Sequence, residues 1–320
     1  MTDDRGMWEH ARYTTPRTEH GYCTDDNARA LIVVCREPNH SDELLDLAGI
    51  YMAFLRDAQL TDGGFHNRRD QGGSWTDRIG PDDSQGRAIW AVGTAANRAP
   101  AAWIRWEGLE LFERNAQFES PSPRATAFAM LGAAEVLETF KDHLPARQLL
   151  RTGAKKLNLR TDPNWPWPED RLAYDNSRIA EALIAAGHHL ADDRLLGEGL
   201  RLLEWLVAAE TREGHFSFTP VGGWEPGEPR PGFDQQPVEA AAMADACARA
   251  WMITDDDIWR DRVDLTARWF VGANDSGAAL YDPHTGGGRD GLHREGTNQN
   301  QGAESTLAAL SALQLARLVD

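Results

Sequence analysis

Gln236-Pro-Val-Glu239-Ala-Ala-Ala-Met-Ala244 starts polar, carries one charged residue, and runs on as alanine with a single methionine. A helix that is small and apolar nearly all round belongs inside a fold, where its short side chains permit close packing. The same plan recurs at Asp26-Asn-Ala-Arg29-Ala-Leu31, Ser84-Gln-Gly-Arg87-Ala-Ile89 and Pro121-Ser-Pro-Arg124-Ala-Thr126. It returns at Asp175-Asn-Ser-Arg178-Ile-Ala180 and Gln301-Gly-Ala-Glu304-Ser-Thr306. Aligned on the charged residue, the six starts are spaced 58, 37, 54, 61 and 65 residues apart. An internal repeat of this kind dictates architecture before any local reading does.

Between the repeated helices lie more highly charged stretches with apolar residues at i, i+3, i+4 spacing, at 42–59, 101–118, 145–159, 192–210 and 256–274. The first of these shows Leu44, Leu45, Leu47, Ala48, Tyr51, Met52 and Leu55. Such helices are amphipathic, with one face on a core and one in water. An inner helix followed by an outer one, six times over, is an all-α (α/α)6 toroid, read here as one domain over 1–320. The sixth inner helix lacks an obvious outer partner. Residues 3–12 are expected to supply it, or a second copy of the chain to close the ring as a homodimer.

Loops rich in Gly, Pro, Trp and Asn lead from outer helices to the next inner one, as in 62–69, 165–170, 214–218 and 281–293. Connections between helices usually need about 2–8 residues, so long ones gathered at the inner starts point to function.

With 320 residues, 41% hydrophobic and 26% charged, the composition is that of a globular protein. No run approaches the length of a membrane helix, the N-terminus lacks the order of a signal peptide, and three scattered cysteines fit a reducing compartment, so a cytoplasmic protein is expected. A net charge of −17 argues against nucleic acid or an anionic membrane as partner. It is compatible with a neutral, polyhydroxylated ligand. Tryptophan (12) outnumbers tyrosine (5), and Trp75, Trp165, Trp167 and Trp224 fall in loops, where they could stack on sugar rings or plug the ends of the helices.

Several passages resemble a known group of proteins: His20-Gly-Tyr-Cys-Thr-Asp-Asp-Asn-Ala-Arg29, Asp82-Asp-Ser-Gln-Gly-Arg-Ala-Ile-Trp90, Trp165-Pro-Trp-Pro-Glu-Asp170 with Tyr174-Asp-Asn176, Phe233-Asp-Gln-Gln-Pro-Val-Glu239, Asp290-Gly-Leu-His293 and Asn300-Gln-Gly-Ala-Glu304. They are similar to the helical-toroid, glycosidase-like proteins of bacterial carbohydrate gene clusters, which occur alone or fused behind a glycosyltransferase domain, often beside mannoside phosphorylase-like genes. The resemblance covers essentially the whole chain and implies a six-hairpin toroid working on glycans. No glycosyltransferase half is present in this sequence, so transferase activity is not carried over.

Cleavage of a glycosidic bond uses two carboxyl groups, one protonating the leaving oxygen and one activating water or attacking directly. In a closed toroid, hairpins 1, 2 and 6 are neighbours. Their starts would bring Asp25, Asp26, Asp82, Asp83 and Glu304 to one side of the mouth, with Asp175, Asp234 and Glu239 from hairpins 4 and 5. An Asp ahead of a helix also serves as an N-cap, which explains one acid per helix better than it explains the doublets Asp25-Asp26 and Asp82-Asp83. Arg29, Arg87, Arg124 and Arg178 occupy the end of the helix dipole that repels cations, so each is expected to pair with a carboxylate. Glu239 and Glu304 have no Arg beside them in their own repeats, and a carboxyl set among alanines should have a raised pKa, as a general acid needs. The expectation from sequence is a glycoside hydrolase of bacterial oligo- or polysaccharides, mannosides favoured by the gene-cluster resemblance, with Glu304 as acid and Asp26 or Asp83 as base.

His20, Tyr22, His66, Asn67, Arg68, Arg87, Asp234, Gln235, Gln236, Asp290, His293 and Gln301 would hold hydroxyl groups. No metal motif, phosphate-binding loop, nucleophile elbow or dinucleotide fingerprint occurs, and no cofactor is expected. Two other functions fit the same architecture. A sugar epimerase would make His20, His66 and His293 essential, and a non-catalytic glycan-binding module would need none of the acids.

Overall fold

In a computed structural model of the chain, residues 1–157 and 159–319 are described, and they contain eleven α-helices. Six are the repeated helices: α1 (Thr24–Arg36), α3 (Asp82–Arg98), α5 (Pro123–Thr139), α7 (Ser177–Leu190), α9 (Pro237–Thr254) and α11 (Ala303–Val319). The five others alternate with them: α2 (Asp42–Ala58), α4 (Ala102–Arg114), α6 (Leu144–Lys156), α8 (Asp193–Glu210) and α10 (Asp257–Phe270). Each falls within a few residues of the stretch that sequence periodicity marks. The repeated helices are buried on nearly every face, continuously from Arg124 to Leu137 in α5 and from Pro237 to Ala250 in α9. The alternating ones bury a single stripe, such as Ala48, Tyr51, Met52 and Leu55 in α2.

The chain divides into two compact units. The first comprises Met1–Ala11, Thr15–Lys156 and His189–Ala191. In it α1, α3 and α5 pack side by side, with α2 against α1, α4 against α3 and α6 against α5. Helices approach closely where alanine and glycine meet. A Cβ on Gly93 would lie 2.3 Å from the carbonyl oxygen of Gly132, and one on Gly132 would lie 2.4 Å from that of Ile89. The second unit comprises Arg12–Thr14, Leu157–His188 and Asp192–Asp320. There α9 packs on α10 and α11, with α8 against α9 and α10 against α11.

The helix expected at residues 3–12 is not formed. Thr2–Asp3 pairs antiparallel with Gly6–Met7 instead, and Met7 is tied to α1 through Asn27, whose Oδ1 accepts the Met7 N–H at 2.8 Å. The segment is too polar and too short to bury a helical stripe, and a hairpin satisfies its backbone locally.

Three of the half-buried helices use their own N-caps: Ser41 for α2, Asp192 for α8 and Asp256 for α10 each accept a first-turn N–H, as Ser122 does for the inner helix α5. The starts of α1, α3 and α9 (Cys23, Pro81 and Gln236) have no such bond from their own side chains. Asn67 supplies it for α1 from a neighbouring loop, its Oδ1 accepting from Thr24 N at 3.1 Å and Asp25 N at 3.4 Å. Glu239 does the same for the approach to α7, accepting from Asp175 N at 2.6 Å and Asn176 N at 3.3 Å. Asp290 accepts from Gly302 N, just ahead of α11, at 2.8 Å. The starts of α1, α7 and α11 are thus held by residues from outside their own helices.

Candidate functional site

In the first unit, the strand Tyr22–Cys23 pairs with Arg68–Arg69 and brings the start of α1 against the 59–81 loop. Gly21 at φ 72° makes the approach possible, since a Cβ there would meet Arg69 O at 2.1 Å. Most of the acids at these starts are engaged. Asp25 meets Arg87 Nε at 2.9 Å. Asp26, 4% exposed, meets Arg29 Nη1 at 2.8 Å and accepts the Cys23 thiol at 3.2 Å. Asp82 accepts from Ser120 Oγ at 2.6 Å and Asp83 from Ser122 Oγ at 3.2 Å. Tyr22 is fully buried, stacked on Trp8, with its hydroxyl donating to Asp3 at 2.7 Å. Arg68 pairs with Glu9, and His20 lies edge-on to His10.

His66 is the reactive-looking group of this unit. Its Nδ1 lies 2.9 Å from the backbone oxygen of Asp77 and 3.5 Å from that residue's Oδ1. A carbonyl only accepts, so Nδ1 carries the hydrogen and Nε2 carries the lone pair. Nε2 has no hydrogen-bond partner among the described residues. The ring stacks on Trp75, centroids 5.1 Å apart, and the Arg69 guanidinium also lies over Trp75 at 5.3 Å. Trp75 therefore serves the histidine and Arg69 before any ligand. Asp77 is fixed in turn by the N–H groups of Asn67 and Arg68.

In the second unit, Gln235 and Leu292 exchange both backbone hydrogen bonds, at 3.0 and 2.9 Å. Their neighbours Asp234 and His293 consequently face each other, and His293 Nδ1 lies 2.8 Å from Asp234 Oδ1. The carboxylate accepts, so here too Nδ1 is the donor and Nε2 is left over. Unlike His66, this histidine is well exposed, at 43% of its side chain. Gln236 sits half-buried at the N-cap position of α9. Gln301 is held between Asp282 and Thr285. Glu304 is half-buried in the first turn of α11.

Glu239 and Glu210 are both buried. Burial pushes the Glu239 carboxyl well up, the nearby charges of Glu210 and Asp175 add to this, and the Asp175 and Asn176 N–H groups pull the other way. The elevation matches the sequence argument, but both oxygens are occupied in holding the approach to α7. Glu210 accepts from the Thr219 N–H and hydroxyl through one oxygen, while Oε2 is buried without a hydrogen bond. Burial raises this carboxyl too.

Two expectations from sequence are corrected. Trp165 (6% exposed) and Trp167 (0%) do not line a mouth: they pack with Trp205 of α8, and Trp165 donates to Glu169 O at 2.9 Å. Their size and the apolar face of α8 make burial worth more than an open ring in water. Asn67 and Gln235 are likewise buried, the Asn67 amide oxygen capping α1 and that of Gln235 accepting from Phe218 N, while Asp175, at a left-handed φ of 50°, has its backbone N–H held by Glu239. The pairing expected for the arginines is found for Arg29, Arg87 and Arg178. Arg178 is buried between Asp245 at 2.5 Å and Glu181 at 2.8 Å, and Arg249 bonds Glu181 at 3.1 Å.

Asp77, His215 and Asp275 were not singled out by sequence. Asp275 accepts from His215 Nε2 at 3.0 Å and from the Gln235 amide; burial pushes its carboxyl up, but bonds from Ser217, His215 and Gln235 outweigh this and hold it below the usual range. A loop aspartate far from any repeat start carries no sequence signal beyond its type.

Glu9, Cys23 and Asp26 place ligating atoms within 4.8 Å of one another. Burial pushes the Cys23 thiol well up, and the Asp26 and Glu9 charges push further, while Arg68 and Arg29 already neutralise the two acids. That set suits a protonated thiol rather than a metal-bound thiolate.

No protein-family model matches the sequence, and no curated protein matches it. Solved structures do match. A sugar epimerase from a ruminal bacterium superposes with a TM-score of 0.74 at 14% identity, covering 100% of this chain and 94% of that one. A D-mannose isomerase gives 0.71 at 12% identity, covering 99% and 93%. The GH76 α-mannanase of Bacteroides thetaiotaomicron gives 0.66 at 11% identity, covering 92% and 86%. The fold is the (α/α)6 toroid. At these identities the likeness speaks for the fold alone. In this toroid no described helix is long and apolar enough to cross a membrane.

Proposed function

We propose that this toroid is a carbohydrate-active enzyme that moves a proton at a sugar carbon, an epimerase or isomerase of reducing sugars, with His66 in one unit and His293 in the other each a candidate for the proton-transferring group. One observation carries the reading: both histidines have Nδ1 tied to an aspartate residue, and both leave Nε2 without a hydrogen-bond partner among the described residues. An imidazole so held is oriented and fixed in one tautomer, as a general acid or base must be. In the open-chain sugar, one Nε2 takes the proton from the carbon beside the carbonyl, leaving an enediolate. Return of a proton to the opposite face of that carbon gives the epimer, and return to the former carbonyl carbon, with the hydroxyl proton passing from O2 to O1, gives the isomer. No electron acceptor is needed. The names of two structures of the same fold, a sugar epimerase and a D-mannose isomerase, support this class and make mannose-configured sugars the first to try. The strong negative charge favours a neutral sugar over a phosphorylated one.

A second reading, a glycoside hydrolase, is favoured by the acids gathered at the helix starts. It would use Glu304 as acid and Asp83 as base. Asp83 is preferred to Asp26, which is buried and held by Arg29. The test is incubation with manno-, gluco- and arabino-sugars and oligosaccharides, with products followed by chromatography. Interconversion without cleavage, lost in His66→Gln or His293→Gln, supports the epimerase. New reducing ends, lost in Glu304→Gln and Asp83→Asn, support the hydrolase. Binding without turnover supports a glycan-binding module.

A further inference from the structure

The loop Asn274-Asp275-Ser276 reaches both strands that carry the Asp234–His293 pair. Asp275 Oδ2 accepts the Gln235 amide at 2.5 Å, one residue from Asp234. Ser276 donates its hydroxyl to the carbonyl oxygen of His293 itself. The loop is rigid in its own right. Asn274 Oδ1 accepts from Ser276 N and Ala278 N, and its Nδ2 donates to Trp269 O and Ala278 O, both at 2.8 Å. On the other side, every polar atom of Gln235 is used. Its Nε2 also donates to Gly232 O at 2.7 Å, its Oε1 accepts from Phe218 N at 3.2 Å and Trp269 Nε1 at 3.3 Å, and its backbone bridges Leu292. Asp275 is fixed in turn by His215 at 3.0 Å.

The geometry points to Asp275 as a positioning residue: with Ser276 it clamps the Gln235 and Leu292 strands so that Asp234 holds His293 in the Nδ1–H tautomer. Asp275 acts through Gln235, whose side chain cannot shift without breaking bonds to three other groups. A histidine exposed over nearly half its side chain has little packing of its own to hold it, so the clamp is what sets its orientation. The inference rests on the proposed role of His293, yet its test needs no turnover.

The experiment is a long-range 15N–1H correlation spectrum of the labelled full chain at a pH where His293 is neutral, with His293→Gln used to assign its signals. Wild type is expected to show the separated 15N shifts of a single Nδ1–H tautomer, and Asp234→Asn to collapse them toward averaged values. Asp275→Asn, which turns an amide donor toward donors, is expected to move the His293 shifts the same way. It should also lower kcat about 10-fold with KM within about twofold, as misplacement of a proton-transfer group does. Ser276→Ala, which removes one hydroxyl from a half-buried site, is expected to shift the signals in the same direction and decides the matter should Asp275→Asn not fold. Folded variants that keep the wild-type His293 pattern would overturn the inference. Collapsed shifts in a protein that turns over no sugar would leave the clamp standing and sink the catalytic reading alone.

Discussion

His293 Nδ1 lies 2.8 Å from Asp234 Oδ1 because the residues beside them, Leu292 and Gln235, exchange two backbone hydrogen bonds. Antiparallel pairing of this kind places adjacent side chains face to face, so the dyad is a product of strand register rather than of side-chain chance. Phe233 and Arg294, one step further along, meet the same way, with the guanidinium 5.4 Å from the ring centroid.

Removing the aspartate should therefore damage the reaction and spare the fold. Asp234 is 57% exposed at its side chain, so Asp234→Asn is expected to keep the wild-type melting temperature. It should lower kcat by about 100-fold or more, the scale on which misoriented general acid–base groups lose rate. Steady-state kinetics on an interconverted sugar beside a thermal melt checks both halves, and unchanged kcat would remove the dyad from the mechanism.

Glycine to alanine within a helix ordinarily stabilises by about 1 kcal/mol. At Gly93 the opposite is expected, since the new Cβ would sit 2.3 Å from the Gly132 carbonyl and force α3 from α5. Gly93→Ala should lose about 1–3 kcal/mol in urea unfolding, the usual cost of overpacking. A gain in stability would mean that these helices can separate freely.

Arg178 is buried with Asp245 and Glu181, and Arg249 extends the chain of charges between α7 and α9. Asp245→Ala leaves a desolvated guanidinium with one fewer carboxylate and is expected to cost about 3–5 kcal/mol in chemical denaturation. A loss below about 1 kcal/mol would show that water reaches the network.

Glu210 gives stability a pH dependence of calculable sign. Burial raises its pKa above the ordinary value of 4.5, so between that value and the raised one the folded state binds more protons than the unfolded. Stability from this group is fully present below the ordinary value and falls as pH rises through the raised one. Glu210→Gln keeps an acceptor for Thr219 and cannot ionise, so its urea midpoint should fall less than wild type's between pH 5 and pH 8. Parallel pH profiles for the two proteins would contradict the assignment.

The scaffold was largely legible because it is written in local patterns. Alanine-rich runs such as 239–244 mark helices that bury every face, and the stripe of Leu44, Ala48, Tyr51 and Leu55 marks one that buries a side. Arg178 in a first turn announced a carboxylate partner, although not that Asp245, 67 residues away, would be it. The site was less legible because its partners are distant. Asn67 looks like a sugar-binding amide until it is seen capping α1, and Glu239 like a free acid until it grips the approach to α7. Trp165 and Trp167 read as loop aromatics, yet α8 offers them an indole to pack on. Asp77 and Asp275 gain meaning only from the histidines and amides folded against them.

The most direct measurement is incubation of the protein with mannose, glucose and their β-linked disaccharides in D2O, followed by proton NMR and mass spectrometry. Proton transfer by His293 is expected to place deuterium on the carbon beside the carbonyl, together with an epimer or ketose, and to cease in His293→Gln. New reducing ends with no deuterium on carbon, or no change in any sugar, would contradict the account.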